Sequence, residues 1–337
     1  MKNLFLFLSG VILISSHLQA QDIEGPRSPF PKEVIAPSDN PMSEKKIELG
    51  RMLYFDKRLS VNDKISCNSC HNVMAGGDDG LSFSPGHEGK LGGRNSPTVW
   101  NSAFSSVQFW DGRAPTLEEQ AKGPLVNSAE MGMSDHKAVV QKVSKISGYK
   151  KYFKEVFNDE NPNIDNIAKA IAAYERTLIT PNSAYDKFLA GDVSALSDSA
   201  KNGWKLVAKT GCTSCHMGPM FAGPALPAGT GFYQKFPTYT DNEYVAKYDF
   251  NKDIGRAEVT KNKADEHLFR VPTWRNVART SPYFHNGSVS DLGEVVRVMA
   301  KTQLNKELPE QDVKDIVEFL NSLNGELPKQ TEPKLPS

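Results

Sequence analysis

Four stretches of the chain carry hydrophobic patterning strong enough to say what they form. At the N terminus Lys2 precedes an apolar run from Leu4 to Ser15, and Leu18-Gln19-Ala20 leads into polar sequence. A charged start, a short apolar core and a small residue before polar sequence mark a secretory signal peptide, residues 1–20, cut after Ala20. The run is shorter than the ~20 residues a spanning helix needs, and no cysteine follows the cut to carry a lipid. From Ser43 to Phe55, Leu49, Met52 and Leu53 fall at i, i+3 and i+4, one face of a helix. Ser197 to Lys209 reads as a second helix, with Ser197 as its N-cap, Trp204, Leu206 and Val207 apolar, and Gly211 placed to stop it. Near the C terminus Leu292, Val295, Val296 and Met299 recur at i, i+3, i+4 and i+7.

No other stretch is long enough to cross a bilayer. At roughly 100–200 residues per domain, 337 residues make about two. Thr180 to Ala184, with Pro181 and Asn182, is a natural linker. The expected fold is mainly α, in two domains with long loops, 21–180 and 181–327. Residues 328–337, with Pro333 and Pro336, are expected as a flexible tail. Forty basic against forty acidic residues give no general attraction to nucleic acid or an anionic membrane.

The cysteines change this picture. An exported chain with four cysteines would ordinarily be read as disulfide-bonded, but all four fall in two copies of C-x-x-C-H: Cys67-Asn68-Ser69-Cys70-His71 and Cys212-Thr213-Ser214-Cys215-His216. Haem c requires that pattern: two thiols one turn apart for the vinyl groups, then an imidazole for the iron. A zinc site would gather four ligands in one place, whereas these motifs lie 145 residues apart. A redox dithiol needs no histidine after it. Each motif follows a predicted helix, so the sequence reads as two haem-binding modules with two covalently bound haems c.

The sixth iron ligand sets what each haem does. His17 leaves with the signal peptide, and after His71 and His216 the histidines left are His87, His136, His267 and His285. His87 sits among Gly76, Gly77, Gly80, Gly86, Gly89, Gly92 and Gly93, a loop able to rearrange at small steric cost. A displaceable ligand and a solvated loop histidine both fit it. Met217 and Met220 are too close to Cys215 to reach the opposite haem face. Met299 is far enough away, and its helical spacing fits a ligand and a core residue equally.

Further segments, in order, show that the chain resembles the bacterial dihaem cytochrome c peroxidases from about Glu44 to about Met299. They are Leu49-Gly50-Arg51, Phe55-Asp56, Leu59-Ser60, Ser66 through His71, Gly93-Arg94-Asn95-Ser96-Pro97, Phe109-Trp110-Asp111-Gly112-Arg113 and Glu130-Met131-Gly132. In the second half come Arg270-Val271-Pro272-Thr273, Arg275-Asn276-Val277 and Pro282 through Gly287. The resemblance implies hydrogen peroxide as substrate, reduced with electrons from a small cytochrome c or a cupredoxin, in a periplasmic enzyme that commonly forms homodimers. It makes His87, sixteen residues after His71, the removable distal ligand of the first haem, and Met299, fourteen after His285, the axial ligand of the second. Trp110 becomes the residue between the haems and Glu130 the catalytic acid–base group. One calcium ion would be held by Asn95 and the backbone carbonyls of Thr280 and Pro282. His285 reads as a structural residue near a haem. A dihaem electron carrier would explain the motifs but not the loop around His87. Protein-oxidising enzymes of the same superfamily carry Tyr in place of the axial Met.

Overall fold

The computed structural model describes Gly25, residues 27–31 and residues 33–337; the signal peptide expected at residues 1–20 lies outside the described residues. Its helices are α1 Glu44–Phe55, α2 Cys67–Cys70, α3 Leu117–Val126, α4 His136–Ser144, α5 Tyr149–Phe157, α6 Ile164–Glu175, α7 Ala184–Leu189, α8 Asp198–Thr210, α9 Glu243–Lys247, α10 Ala257–Thr260, α11 Leu292–Leu304 and α12 Glu310–Ser322. One small antiparallel sheet pairs β1 Tyr233–Lys235 with β2 Leu268–Arg270. The fold is thus mainly helical, and long loops join the helices. Among the described residues no helix is long and apolar enough to cross a membrane.

The helices read from the sequence form for local reasons. Ser43 and Ser197 each accept a bond from the backbone N–H three residues on, Lys46 and Ala200, and so cap α1 and α8. Gly211, at φ 104°, turns the chain out of α8. Two hydrophobic cores follow, one built on Leu49, Leu53, Tyr54, Ile167, Ile171 and Leu178, the other on Tyr185, Trp204, Val207, Ile316 and Phe319.

In each core two helices cross in contact at a glycine. A Cβ on Gly50 would stand 1.8 Å from the Ala170 carbonyl, where α1 meets α6. One on Gly203 would stand 1.9 Å from that of Asp315, where α8 meets α12. Backbone cannot yield as a side-chain tip can, so a methyl group here pushes whole helices apart. Overpacking of this kind costs about 1–3 kcal/mol or more, roughly 2–4 °C in melting temperature per kcal/mol for halves of this size. Gly203→Ala is therefore expected to lower the melting midpoint by several degrees in a thermal scan. An unchanged midpoint would mean that α8 and α12 separate without cost.

The halves also repeat in their loops. Pro97-Thr98-Val99-Trp100-Asn101 is echoed by Pro272-Thr273-Trp274-Arg275-Asn276. Asn101 (φ 65°) and Asn276 (φ 63°) each open a short 3-10 turn, at Ser102 and Val277. Both side-chain amides donate to one acceptor, Thr180 Oγ1, at 2.7 and 2.8 Å. Thr180, in the expected linker, lies buried at the junction of the repeats.

The segment expected as a flexible tail is laid against the first half. Tyr174 donates to Gln330 Oε1 (2.9 Å), Arg58 to the Pro336 carbonyl (2.8 Å) and Gly148 N–H to Ser337 O (2.7 Å), while Leu335 packs on the first core. Proline removes some of the tail's own donors, but its oxygens find donors on the first half.

Candidate active site

A cavity of about 1890 Å³ is lined from both halves, nearly twice the ~1,000 Å³ upper end of pockets that take one small ligand. Cys70 and His71 line it from the first half, Cys212, Cys215 and His216 from the second, and Cys67 lines an adjoining pocket. The same local turn presents each motif. His71 N–H donates to the Cys67 carbonyl at 2.9 Å and His216 N–H to that of Cys212 at 3.0 Å, closing one helical turn over both cysteines.

Each histidine is then oriented from behind. His71 Nδ1 pairs with the Pro97 carbonyl and His216 Nδ1 with that of Phe221, both at 2.9 Å. Bonding through Nδ1 makes it the protonated nitrogen and leaves the Nε2 lone pair for a metal, the usual arrangement of a ligating imidazole. Burial lowers the pKa of His71 and takes His216 down to about 4, so both rings are neutral. Trp274 stacks on His216 at 4.4 Å.

This donor set fits haem c. The four thiols are unpaired. Burial pushes Cys67 well up and Cys70 and Cys212 to about 11, whereas a thiolate metal site needs its thiols depressed. Among the described residues no three His, Cys, Asp or Glu gather as a metal cluster, so a zinc reading has no ligand set.

Glu130 faces the cavity from the loop after α3, beside Gln120, Pro124 and Glu175. Burial raises its carboxyl above the usual range, against the opposing pull of Arg113 and a 2.7 Å bond from Asn127 Nδ2. His87 is not brought to the cavity. Its ring packs against Gly132, its Nδ1 is buried without a partner, and its Nε2 lies 3.6 Å from Glu88 Oε1. The loop bearing it is closed by the Pro85–Leu91 bridge and held to Glu130 by a 2.7 Å bond from His87 N–H to the Glu130 carbonyl. The loop is thus tied to the backbone of Glu130.

Met299, on α11, lines the cavity from the second half and packs on Phe236, Phe250, Phe269 and Val298. Between the halves stands Trp110, whose indole N–H donates to the Asn95 carbonyl at 2.8 Å. His285 meets it edge-on at 6.4 Å, stacks on Phe269 at 4.5 Å and keeps a buried, unpartnered Nε2. The two are counterparts. Phe109-Trp110-Asp111-Gly112 and Phe284-His285-Asn286-Gly287 turn alike, with Phe109 and Phe284 at φ 68° and 69°, each within an isolated antiparallel bridge. That Phe-x-Asx-Gly repeat was the signal in the sequence for His285 as a central residue.

Arg94 ties the Trp110 loop to the second half by bonding Asp111 (2.5 Å) and Asp253 (2.6 Å). Asn95, Thr280 and Pro282 line the same cavity. Asn95 N–H donates to the His285 carbonyl at 2.7 Å, joining the halves. Close by, Asp78 and Asp79 each keep a buried, unpartnered Oδ2, and burial takes Asp78 up to about 6. Orphaned carboxylate oxygens on a loop whose Gly76 and Gly80 abut the Arg279 and Ser281 carbonyls suit a hard cation with oxygen ligands.

A sequence profile described as di-haem cytochrome c peroxidase matches residues 44–194. The chain is 43% identical over 311 residues to cytochrome c551 peroxidase of Pseudomonas aeruginosa, covering 92% of this chain and 87% of that protein. It is 42% identical over 306 residues to the cytochrome c551 peroxidase of Nitrosomonas europaea, covering 91% and 86%. Among solved structures, a MauG-like protein associated with microbial copper homeostasis superposes with a TM-score of 0.76 at 28% identity, covering 88% of this chain and 94% of that one.

Proposed function

Because the chain belongs to the di-haem cytochrome c peroxidase family, we propose that it reduces hydrogen peroxide to water with electrons from a small redox protein, a cytochrome c or a cupredoxin. The observation that carries the reading is the pair of C-x-x-C-H turns, each with its imidazole anchored through Nδ1, facing a cavity that Glu130 and Met299 also line.

In this reading each half is a cytochrome c-like haem domain. Cys67, Cys70 and His71 hold the first haem, and Cys212, Cys215, His216 and Met299 the second. When bound, the haems supply the redox chemistry: one activates peroxide, the other passes on donor electrons. The protein supplies the rest. Glu130 takes the proton from one peroxide oxygen and returns it to the other, which leaves as water. Its burial-raised pKa suits a group that must both accept and donate near neutral pH. Trp110, in the wall between the halves, is the bridge for electrons. His87 is the displaceable ligand of the first haem. Its loop is bonded to the Glu130 backbone carbonyl, so the loop and the residue carrying the acid–base group share an anchor.

Calcium held by the Asn95 side chain and the Thr280 and Pro282 carbonyls would fix the boundary beside Trp110, since the Asn95 carbonyl holds the indole. In the same reading the mature enzyme, cut after Ala20, works in the periplasm, and the family resemblance favours a homodimer. The protein-oxidising alternative is disfavoured by Met299, since a Tyr stands at that position in such enzymes.

The deciding experiment mixes the haem-loaded protein, poised half-reduced, with peroxide and a reduced small cytochrome c. Two donor molecules should be oxidised per peroxide, with a turnover on the order of 1–10³ s⁻¹. No donor oxidation despite two intact haems would replace this reading with an electron carrier or a protein-oxidising enzyme.

A further inference from the structure

Peroxide reduction consumes two electrons and two protons beyond those of peroxide itself: H2O2 + 2 H⁺ + 2 e⁻ gives two waters. Glu130 moves a proton that peroxide already carries from one oxygen to the other. It therefore adds nothing to the proton balance, and the second oxygen still needs two protons to leave as water. The first-half pocket holds another carboxyl with no assigned task.

Glu175 ends α6 and lines both the main cavity and the small pocket that joins Cys67, Gln120 and Glu130. It is 6% exposed, and its Oε2 is buried without a hydrogen-bond partner. The cation next to it is already committed: Arg176 binds Glu118 through two bonds of 2.7 and 3.0 Å. A structural carboxylate would be paired or bonded, since an isolated buried charge is costly. Nor is Glu175 a partner for the haem's acidic side chains. It lies beside Cys67, whose thiol would hold a vinyl group of the haem rather than an acidic side chain.

We propose that Glu175 is a second proton-handling group of the peroxide pocket, which holds a proton for the oxygen that leaves as the second water and is refilled from solvent. The inference rests on the peroxidase reading. In each turnover that oxygen takes two H⁺ through the acid, one after the other, each replaced from solvent, while both electrons come from the donor protein. The groups facing it agree with a neutral acid in the resting site. Cys67 of α2 and Tyr54 of α1 are uncharged, as is Tyr174 on its own helix, and Glu118 of α3 opposes Arg176. Burial carries its carboxyl to about 8, with Arg176 opposing the rise and Glu118 adding to it.

Glu130 and Glu175 then oppose each other in pH. Glu130 works deprotonated, so its contribution fades as pH falls. Glu175 works protonated, so its contribution fades as pH rises. The test is Glu175→Gln, which keeps size and polarity but carries no labile acid proton. Single-turnover loss of peroxide should stay within about twofold of the wild type. Donor oxidation should slow about 10²-fold, the low end for a positioned proton donor, and lose its alkaline limb, with Glu175→Asp keeping part of both. Independently of turnover, the infrared C=O band of a buried protonated carboxyl should be present in the wild type at neutral pH and absent from the Gln variant. A Gln variant with wild-type donor oxidation and an intact alkaline limb, or a wild type lacking the band, overturns the proposal. A wild type that shows the band but consumes no peroxide overturns the peroxidase reading on which the proposal stands.

Discussion

Glu130→Gln is expected to cut peroxide turnover by about two to four orders of magnitude, the usual loss when a positioned acid–base group is removed, with both haem spectra unchanged. The exchange is nearly isosteric, and the Gln carbonyl can still accept the 2.7 Å bond from Asn127 Nδ2. The His87 loop hangs from the Glu130 backbone carbonyl, so it keeps its anchor. What disappears is a group able to take a proton and give it back. Burial raises this carboxyl, so wild-type activity should fall toward acid earlier than an ordinary carboxylate would dictate. The variant's residual rate should lack that limb. A kcat–pH profile of both proteins decides the matter: equal rates, or an acid limb surviving in the variant, would assign the proton transfer elsewhere.

The sequence was most legible where function demands fixed spacing. Two C-x-x-C-H motifs need one turn of chain and a carbonyl behind each ring, and the structure supplies both. The helices at Ser43 and Ser197 were legible because cap, apolar face and stop are all local. The crossings at Gly50 and Gly203 were not, because a glycine in a helix announces weak propensity, whereas its value here comes from a backbone more than a hundred residues away. The last ten residues misled in the same way: proline and charge say that the segment cannot build its own core, but not that Arg58, Gly148 and Tyr174 offer it donors. Glu175 shows the limit most clearly. In sequence it is one acidic residue at a helix end beside an arginine, and only the fold reveals that Arg176 turns to Glu118 and leaves it alone in the pocket. The distal role proposed for His87 came only from the family resemblance, and in the structure the ring lies against Gly132.

Met299→His should lower the reduction potential of the second haem by roughly a few tenths of a volt, a good part of the ~0.8 V range that axial ligands command. A thioether favours reduced iron and an imidazole oxidised iron, so the exchange stabilises the wrong state for an electron-accepting centre. At about 59 mV per factor of ten for one electron, a drop of roughly 0.3 V makes electron entry from the same donor about 10⁵-fold less favourable. Donor oxidation should then become limiting while peroxide still reacts with the first haem of pre-reduced enzyme. The helical spacing of Met299 with Leu292 and Val296 equally allows a plain core residue, and this variant separates the two cases. A core methionine packed on Phe236, Phe250 and Phe269 would, as His, bury a polar ring without a partner and lower stability while the potential stayed put. Potentiometry and a thermal scan on one sample therefore suffice. A shifted potential with a nearly unchanged midpoint places the sulfur on iron, and a shifted midpoint with an unchanged potential removes it from the ligand sphere.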